Sequence, residues 1–162
     1  LIKLHKLMTS PGVEREIFVR PPIDEYFLNI ADEVATRGTC PRLQVGSVLV
    51  RDKMLISSGY NGAPRGVEHC LDVGCKMVNG HCVRAVHSEI NAITQAAYHG
   101  VKTEGATLYT NFFPCENCTK VIINAGLIRV VFREIYKNLD QPYVRELFEK
   151  ARVELVQRPK ND

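Results

Sequence analysis

The chain has 162 residues, 45% of them hydrophobic and 24% charged, with a formal net charge of +3. That suits one globular domain with a real core, burying about 70% of the surface of its unfolded chain. No apolar run approaches the roughly 20 residues of a membrane span. The mild charge, with no dense Lys/Arg run beside it, gives little support to a nucleic-acid partner.

In chain order, residues 1–22 read as an N-terminal extension ending in Pro21-Pro22, ahead of a domain over residues 23–158. The opening Leu-Ile-Lys-Leu-His-Lys-Leu is apolar and basic but too short and too interrupted to read as a signal peptide. A helix is expected from Asp24 to Thr36, with Tyr26, Phe27, Ile30 and Val34 at helical spacing, and Gly38 breaks it. Val45–Val50 and Met54–Ser58 read as strands joined by Arg51-Asp52-Lys53. Gly59-Tyr60-Asn61-Gly62-Ala63-Pro64 has turn chemistry, and a loop rich in Cys and His runs on to His81. His87 opens a helix over 88–98, followed by a strand at Ala106–Thr110 and a helix from Cys115 to Gly126. A strand at Ile128–Phe132, a helix at Pro142–Lys150 and a strand at Val153–Val156 complete the order α-β-β-α-β-α-β-α-β. Such alternation implies a sheet covered on both faces, with ligands beyond the carboxyl ends of strands and near helix N-termini.

The motif that carries chemistry is His87-Ser88-Glu89 followed by Pro114-Cys115-Glu116-Asn117-Cys118. His87, Cys115 and Cys118 offer one imidazole and two thiols. Three protein ligands leave a tetrahedral zinc one open position, which distinguishes a catalytic from a structural site. Cys115 and Cys118 lie three apart on a helix, so both sulfurs face one side. The helix N-terminus favours their thiolate form. Glu89, two residues past His87, is placed to move the protons of a water rather than to ligate. The pattern is the signature of zinc-dependent nucleobase deaminases. Cys40, Cys70, Cys75 and Cys82, with His69 and His81, crowd the loop region. Without a secretory signal, cysteines in this number suggest metal ligands in a reducing compartment, and the expected location is cytoplasmic.

The chain resembles the deoxycytidylate (dCMP) deaminases of the cytidine deaminase superfamily, in the branch shared by bacteria and some phages. The matching segments are Gln44-Val45-Gly46-Ser47-Val48, Gly59-Tyr60-Asn61-Gly62-Ala63-Pro64-Arg65-Gly66, residues 81–93 around His87-Ser88-Glu89, and Phe113-Pro114-Cys115-Glu116-Asn117-Cys118. Ser88 stands where many relatives have Ala, and residues 1–22 match no part of the pattern. The resemblance implies an α/β fold of the cytidine deaminase kind, a three-layer α/β/α arrangement on a mixed five-stranded sheet. It implies hydrolysis of dCMP to dUMP and ammonia, the dUMP serving thymidylate synthesis. Water activated by zinc would add at C4 of the cytosine, while Glu89 passes the water's proton to N3 and helps protonate the departing amine.

Other residues follow from the same resemblance. Arg42, Gln44, Val45, Asn61, the main chain of Ser88, and Tyr136 are candidates for the nucleotide. Arg65 and Arg84 are further candidates for its phosphate, since Arg suits bidentate phosphate binding. Gly59, Tyr60, Asn61 and Gly62 are candidates for an effector site, because many relatives are hexamers activated by dCTP and inhibited by dTTP; Mg2+ would enter only with a triphosphate. Some phage relatives carry an additional zinc in the Cys/His loop. The expected structural set here is Cys40, Cys70, Cys75 and His81, with buried free thiols as the other reading. A dCTP or bifunctional dCMP/dCTP enzyme, a deaminase of tRNA adenosine, guanine or cytidine, and a non-catalytic zinc-binding module remain alternatives.

Overall fold

The computed structural model describes residues 4–8, 14–136 and 141–160, with side chains from residue 19 onward; the expected extension over 1–22 falls partly outside these. The backbone of β1 (Leu4–Met8) pairs antiparallel with β2 (Glu14–Phe18), strands that the sequence reading did not assign. Helix α1 (Ile23–Ala35) follows Pro22 and carries Asp24 and Glu25 in its first turn, where the helix dipole favours acids. Phe27, Leu28, Ala31 and Ala35 line its buried face.

Strands β3 (Gly46–Arg51) and β4 (Met54–Tyr60) form a hairpin. Its two-residue loop, Asp52-Lys53, has φ of 52° and 63°, the mirror-image turn that matches the twist of paired strands. A Cys/His-rich excursion follows, with α2 (Cys70–Val73), β5 (Met77–Val78) and β6 (His81–Cys82). Asn79 and Gly80, both at positive φ, close the β5–β6 hairpin by the same type of turn. Then come α3 (Ser88–Tyr98), β7 (Thr107–Phe112), α4 (Glu116–Asn124), β8 (Arg129–Glu134), α5 (Pro142–Lys150) and β9 (Glu154–Gln157).

The main sheet runs β4-β3-β7-β8-β9. The β4–β3 and β3–β7 pairs are antiparallel, and β7–β8 and β8–β9 are parallel, so the expected mixed five-stranded sheet is present. Because successive strand residues point to opposite faces, each strand feeds two cores. Val48, Val50, Tyr109 and Val131 pack against Phe27, Leu28 and Ala31 of α1. Leu49, Leu108 and Val130 pack on the other face with Ala92, Ile93, Ala96, Ile122, Val144 and Phe148 of α3, α4 and α5. The three layers are therefore α1, the sheet, and the α3–α4–α5 group. Burial of each large apolar side chain stabilises this by about 1.5–3 kcal/mol relative to leaving it exposed.

Polar contacts fix α1 on the sheet. The guanidinium of Arg133, 2% exposed, donates to Glu25, Asn29 and Asp32. Arg129 makes two hydrogen bonds to Asp24, which also accepts from the Tyr109 hydroxyl.

Several element bounds differ from expectation by one or two residues, and the stretch expected as a loop to His81 holds α2 and the β5–β6 hairpin. Gly59 and Tyr60 are the last residues of β4 and not a turn, because β4 extends past Ser58 to pair Gly59 with Ser47 and Tyr60 with Gly46. The strand expected to end at Thr110 continues to Phe112 alongside β8. No helix among the described residues is long and apolar enough to cross a membrane.

Candidate active site

Two helix starts meet beyond the carboxyl end of β7. His87, with extended φ and ψ of −70° and 152°, is the N-cap of α3. Cys115, at −74° and 168°, is the N-cap of α4, so Pro114 precedes the cap and does not sit in the first turn. Cys118 lies one turn into α4, on the side of Cys115. The His87 Nδ1 is 3.4 Å from the sulfur of Cys115 and 3.4 Å from that of Cys118. All three donor atoms lie within 4.8 Å of one another. Cys118 is fully buried, Cys115 half-buried and His87 exposed, so the cluster has a protein wall behind it and an open side. One imidazole and two thiols fit a tetrahedral zinc with its fourth position left to a small molecule.

Of the three donors, one is held ready as a thiolate. Hydrogen bonds from Cys118 and from His87 hold the Cys115 thiol down at about 4. Its hydrogen bond to Cys115, aided by the charge of Glu89, raises His87 to about 9. The neighbouring Cys115 sulfur, together with burial, pushes the Cys118 thiol up. The centre is thus an imidazolium–thiolate pair beside a neutral thiol, and a metal must displace the protons of His87 and Cys118.

Glu89 is 4% exposed, and burial raises its pKa above the usual carboxylate range, against the pull of His87. The Ser88 hydroxyl donates to Glu89 Oε2 at 3.1 Å and lies 2.7 Å from the hydroxyl of Ser47 on β3. The segment leading into β3 is held from two sides. Asn61 Oδ1 accepts from the Val45 N–H and its Nδ2 donates to the Leu43 carbonyl. Asn111 Oδ1 accepts from the Gly46 N–H and its Nδ2 donates to the Gln44 carbonyl. Sequence reasoning missed Asn111; its place on the β7 extension just ahead of Pro114 was the available signal.

Residues 21–134 match the family model of the cytidine and deoxycytidylate deaminase zinc-binding region. The chain belongs to this deaminase family. Over 134 residues it is 47% identical to ComE operon protein 2 of Bacillus subtilis, a stretch covering 83% of this chain and 70% of that protein. It is 38% identical to the deoxycytidylate deaminase of Mycobacterium phage D29 over 70% of this chain and 95% of the phage protein. The match to deoxycytidylate deaminase of Saccharomyces cerevisiae, at 35% identity, spans only 44% of that protein. Among solved structures, the dCMP deaminase of cyanophage S-TIM5 in complex with dCMP and dUMP superposes with a TM-score of 0.74 at 26% identity, covering 86% of this chain and 99% of that one.

The other candidate deaminase residues are scattered more widely. Both amide atoms of Asn61 are occupied by backbone, and the residue is 7% exposed. Arg42 is exposed and reaches the Met77 sulfur and the Gly80 carbonyl of the β5–β6 hairpin. Gln44 is exposed, while Tyr136 stands edge-on to Phe112 with ring centres 6.1 Å apart. Arg84 points to the Glu68 carbonyl, and Arg65 lies over the Tyr98 ring. Gly59, Tyr60 and Gly62 line a groove of about 700 Å3, together with Arg65, His69 and Asn91; none of His87, Glu89, Cys115 or Cys118 lines it.

In the loop, the structure gathers Cys70, Cys75 and Cys82, with donor atoms within 4.8 Å of one another and 3.7 Å between the Cys70 and Cys82 sulfurs. This differs from the expected set. His81 and Cys82 are neighbours on β6 and point to opposite sides, which leaves His81 exposed and turns Cys82 toward Cys70. Cys40 is buried but outside this group.

Proposed function

We propose that this chain hydrolyses dCMP to dUMP and ammonia, using one zinc per chain held by His87, Cys115 and Cys118. The observation that carries the reading is the meeting of those three donors at two helix N-termini, with a buried carboxyl from the same turn as His87. Relatives named deoxycytidylate deaminase and the fold of a dCMP- and dUMP-bound phage enzyme support the choice of nucleotide. Zinc, when bound, acts as a Lewis acid that brings the pKa of a water toward neutrality. Glu89 supplies the proton traffic. It takes a proton from the water that adds at C4 and gives it to N3 of the ring, then carries the remaining proton of the C4 hydroxyl to the amine, which leaves as ammonia as the C4 carbonyl forms. Its burial suits this work, because a carboxyl whose pKa is pushed up holds a transferred proton more readily than a solvated carboxylate does.

The nucleotide lies, in this reading, against the Ser88 main-chain N–H and the Gln44-Val45 segment. Asn61 acts by holding that segment, Arg42 is the candidate for the phosphate, and Tyr136 for the sugar. The groove lined by Gly59, Tyr60 and Gly62 is the place for a dCTP or dTTP effector, with Mg2+ accompanying a triphosphate. A second zinc on Cys70, Cys75 and Cys82, structural once a further donor closes its shell, would tie α2 to the β5–β6 hairpin; the large apolar residues Leu71 and Val73 of α2 and Met77 and Val78 of β5 are exposed and bury little. A homo-oligomer, with a hexamer favoured, and a cytoplasmic location complete the proposal.

The test is ammonia release from dCMP, dCTP, cytidine and tRNA side by side, with and without dCTP as effector. The reading expects dCMP to be the best substrate. Preference for another member of that panel would replace it, and a protein with two zinc equivalents but no activity on any of them would favour a binding module.

A further inference from the structure

Three fully or nearly buried oxygen-bearing side chains form an unbroken line from the sheet to the proposed proton carrier. Ser47 on β3 and Ser88 at the start of α3 are 0% exposed, and Glu89 is 4% exposed. The Ser47 and Ser88 oxygens are 2.7 Å apart, and Ser88 Oγ donates to Glu89 Oε2 at 3.1 Å. A hydroxyl has one proton to give. The Ser88 proton is committed to the carboxylate, so Ser47 is the donor in the first link and Ser88 accepts from it. The direction of the chain is therefore Ser47 to Ser88 to Glu89.

We infer that Ser47 and Ser88 are positioning residues for deamination, their hydroxyls anchoring Glu89 Oε2 so that Oε1 is the oxygen that exchanges protons with substrate. A free carboxylate on a buried side chain retains torsional freedom about its last bond, whose wells are broad. Tying one oxygen to a donor that is itself held by the sheet removes that freedom before substrate arrives. The anchor is built from rigid parts. Ser47 sits in the central region of the sheet with β4 on one side and β7 on the other, paired to Gly59 and Thr110. Gly46, next to it, is fixed by Asn111. The role belongs to the Ser88 side chain and is separate from the main-chain N–H assigned above to the nucleotide. A Ser to Ala change at position 88 leaves that N–H in place.

The inference rests on the proposed dCMP reaction, and the experiment separates the two. Wild type, Ser88→Ala, Ser47→Ala and the double variant are compared for kcat and KM with dCMP, for zinc content, for melting temperature, and for affinity toward a hydrated pyrimidin-2-one deoxyribonucleotide that resembles the tetrahedral transition state. A hydrogen bond to a charged group is among the stronger ones, so Ser88→Ala is expected to lower kcat by about tenfold. Its affinity for the transition-state mimic falls by a similar factor, while KM and zinc content stay within twofold of wild type. Ser47→Ala loses about threefold in kcat. The double variant is no slower than Ser88→Ala, because Ser47 acts only through Ser88. Losses of Ser47 and Ser88 that multiply, or a Ser88→Ala enzyme with wild-type kcat, would overturn the inference and leave the deaminase reading standing. A wild-type protein that releases no ammonia from dCMP would overturn both.

Discussion

Gly59→Ala links the packing of the sheet to the chemistry. A Cβ on Gly59 would lie 2.3 Å from the Ala92 nitrogen, 2.6 Å from the Ser88 oxygen and 2.8 Å from the Asn91 carbonyl carbon, all backbone atoms of α3. None of these can swing aside as a flexible side chain could. Ordinary contact begins at 3.4 Å, so the helix must retreat by 3.4 − 2.3 = 1.1 Å at its tightest point. The turn that moves carries Ser88 and Glu89 and is capped by His87. Overpacking of this kind costs about 1–3 kcal/mol, and a displacement of about 1 Å at reacting groups can lower turnover by about 100-fold. At about 2–4 °C per kcal/mol for a domain of this size, the melting temperature drops by several degrees. The assay is ammonia release from dCMP beside a thermal melt and a zinc determination. Gly66→Ala is the control, since nothing lies within 4 Å of a Cβ there and only its φ of +80° is strained; its kcat should be unchanged. Wild-type kcat and melting temperature in Gly59→Ala would refute the claim that β4 sets the position of α3.

Zinc binding to the metal-free protein near neutral pH should release about two protons, one from His87 and one from Cys118, and affinity should rise with pH toward 9 as His87 loses its proton unaided. Calorimetry in buffers of different ionisation heat measures this, and release of fewer than two protons would contradict the imidazolium–thiolate description. Asp24, whose carboxyl is held below its ordinary value of 3.8 first by its hydrogen bond with Arg129, contributes stability that is present above that value and lost as pH falls through the lower folded value. Asp24→Asn should therefore be less stable than wild type at neutral pH, with the difference closing in strong acid. A gap that is independent of pH would contradict the ion-pair assignment. Asn111→Ala removes the partners of Gly46 N–H and the Gln44 carbonyl. It should cost about 1–3 kcal/mol of stability and raise KM for dCMP more than it lowers kcat, because Gln44-Val45 loosens.

How much of this was legible in the chain depends on how local the cause is. Helix α3 over 88–98 and helix α5 at Pro142–Lys150 are set by caps and periodicity within a dozen residues, and both read correctly. The mixed five-stranded sheet followed from family resemblance, because order and direction of strands are non-local. Gly59 and Tyr60 looked like a turn because Gly, Asn and Pro cluster there; pairing with β3 overrode that local signal. The meeting of His87, Cys115 and Cys118 was recognisable because donors that could share one metal need fixed spacings at helix starts. The loop cysteines were not, since membership there depends on which side of a two-residue strand each side chain takes. The hydrogen bond that backs Ser88 as it donates to Glu89 joins Ser47 to Ser88 across 41 positions of sequence, and no pattern in the chain announces it.

The central claim concerns one acid beside one metal centre. Ammonia release from dCMP by Glu89→Gln, loaded with zinc to the same content as wild type, measures it in a single comparison. The account predicts a loss of turnover of about 100-fold or more with zinc retained. Turnover near that of wild type would mean that Glu89 does not carry the protons.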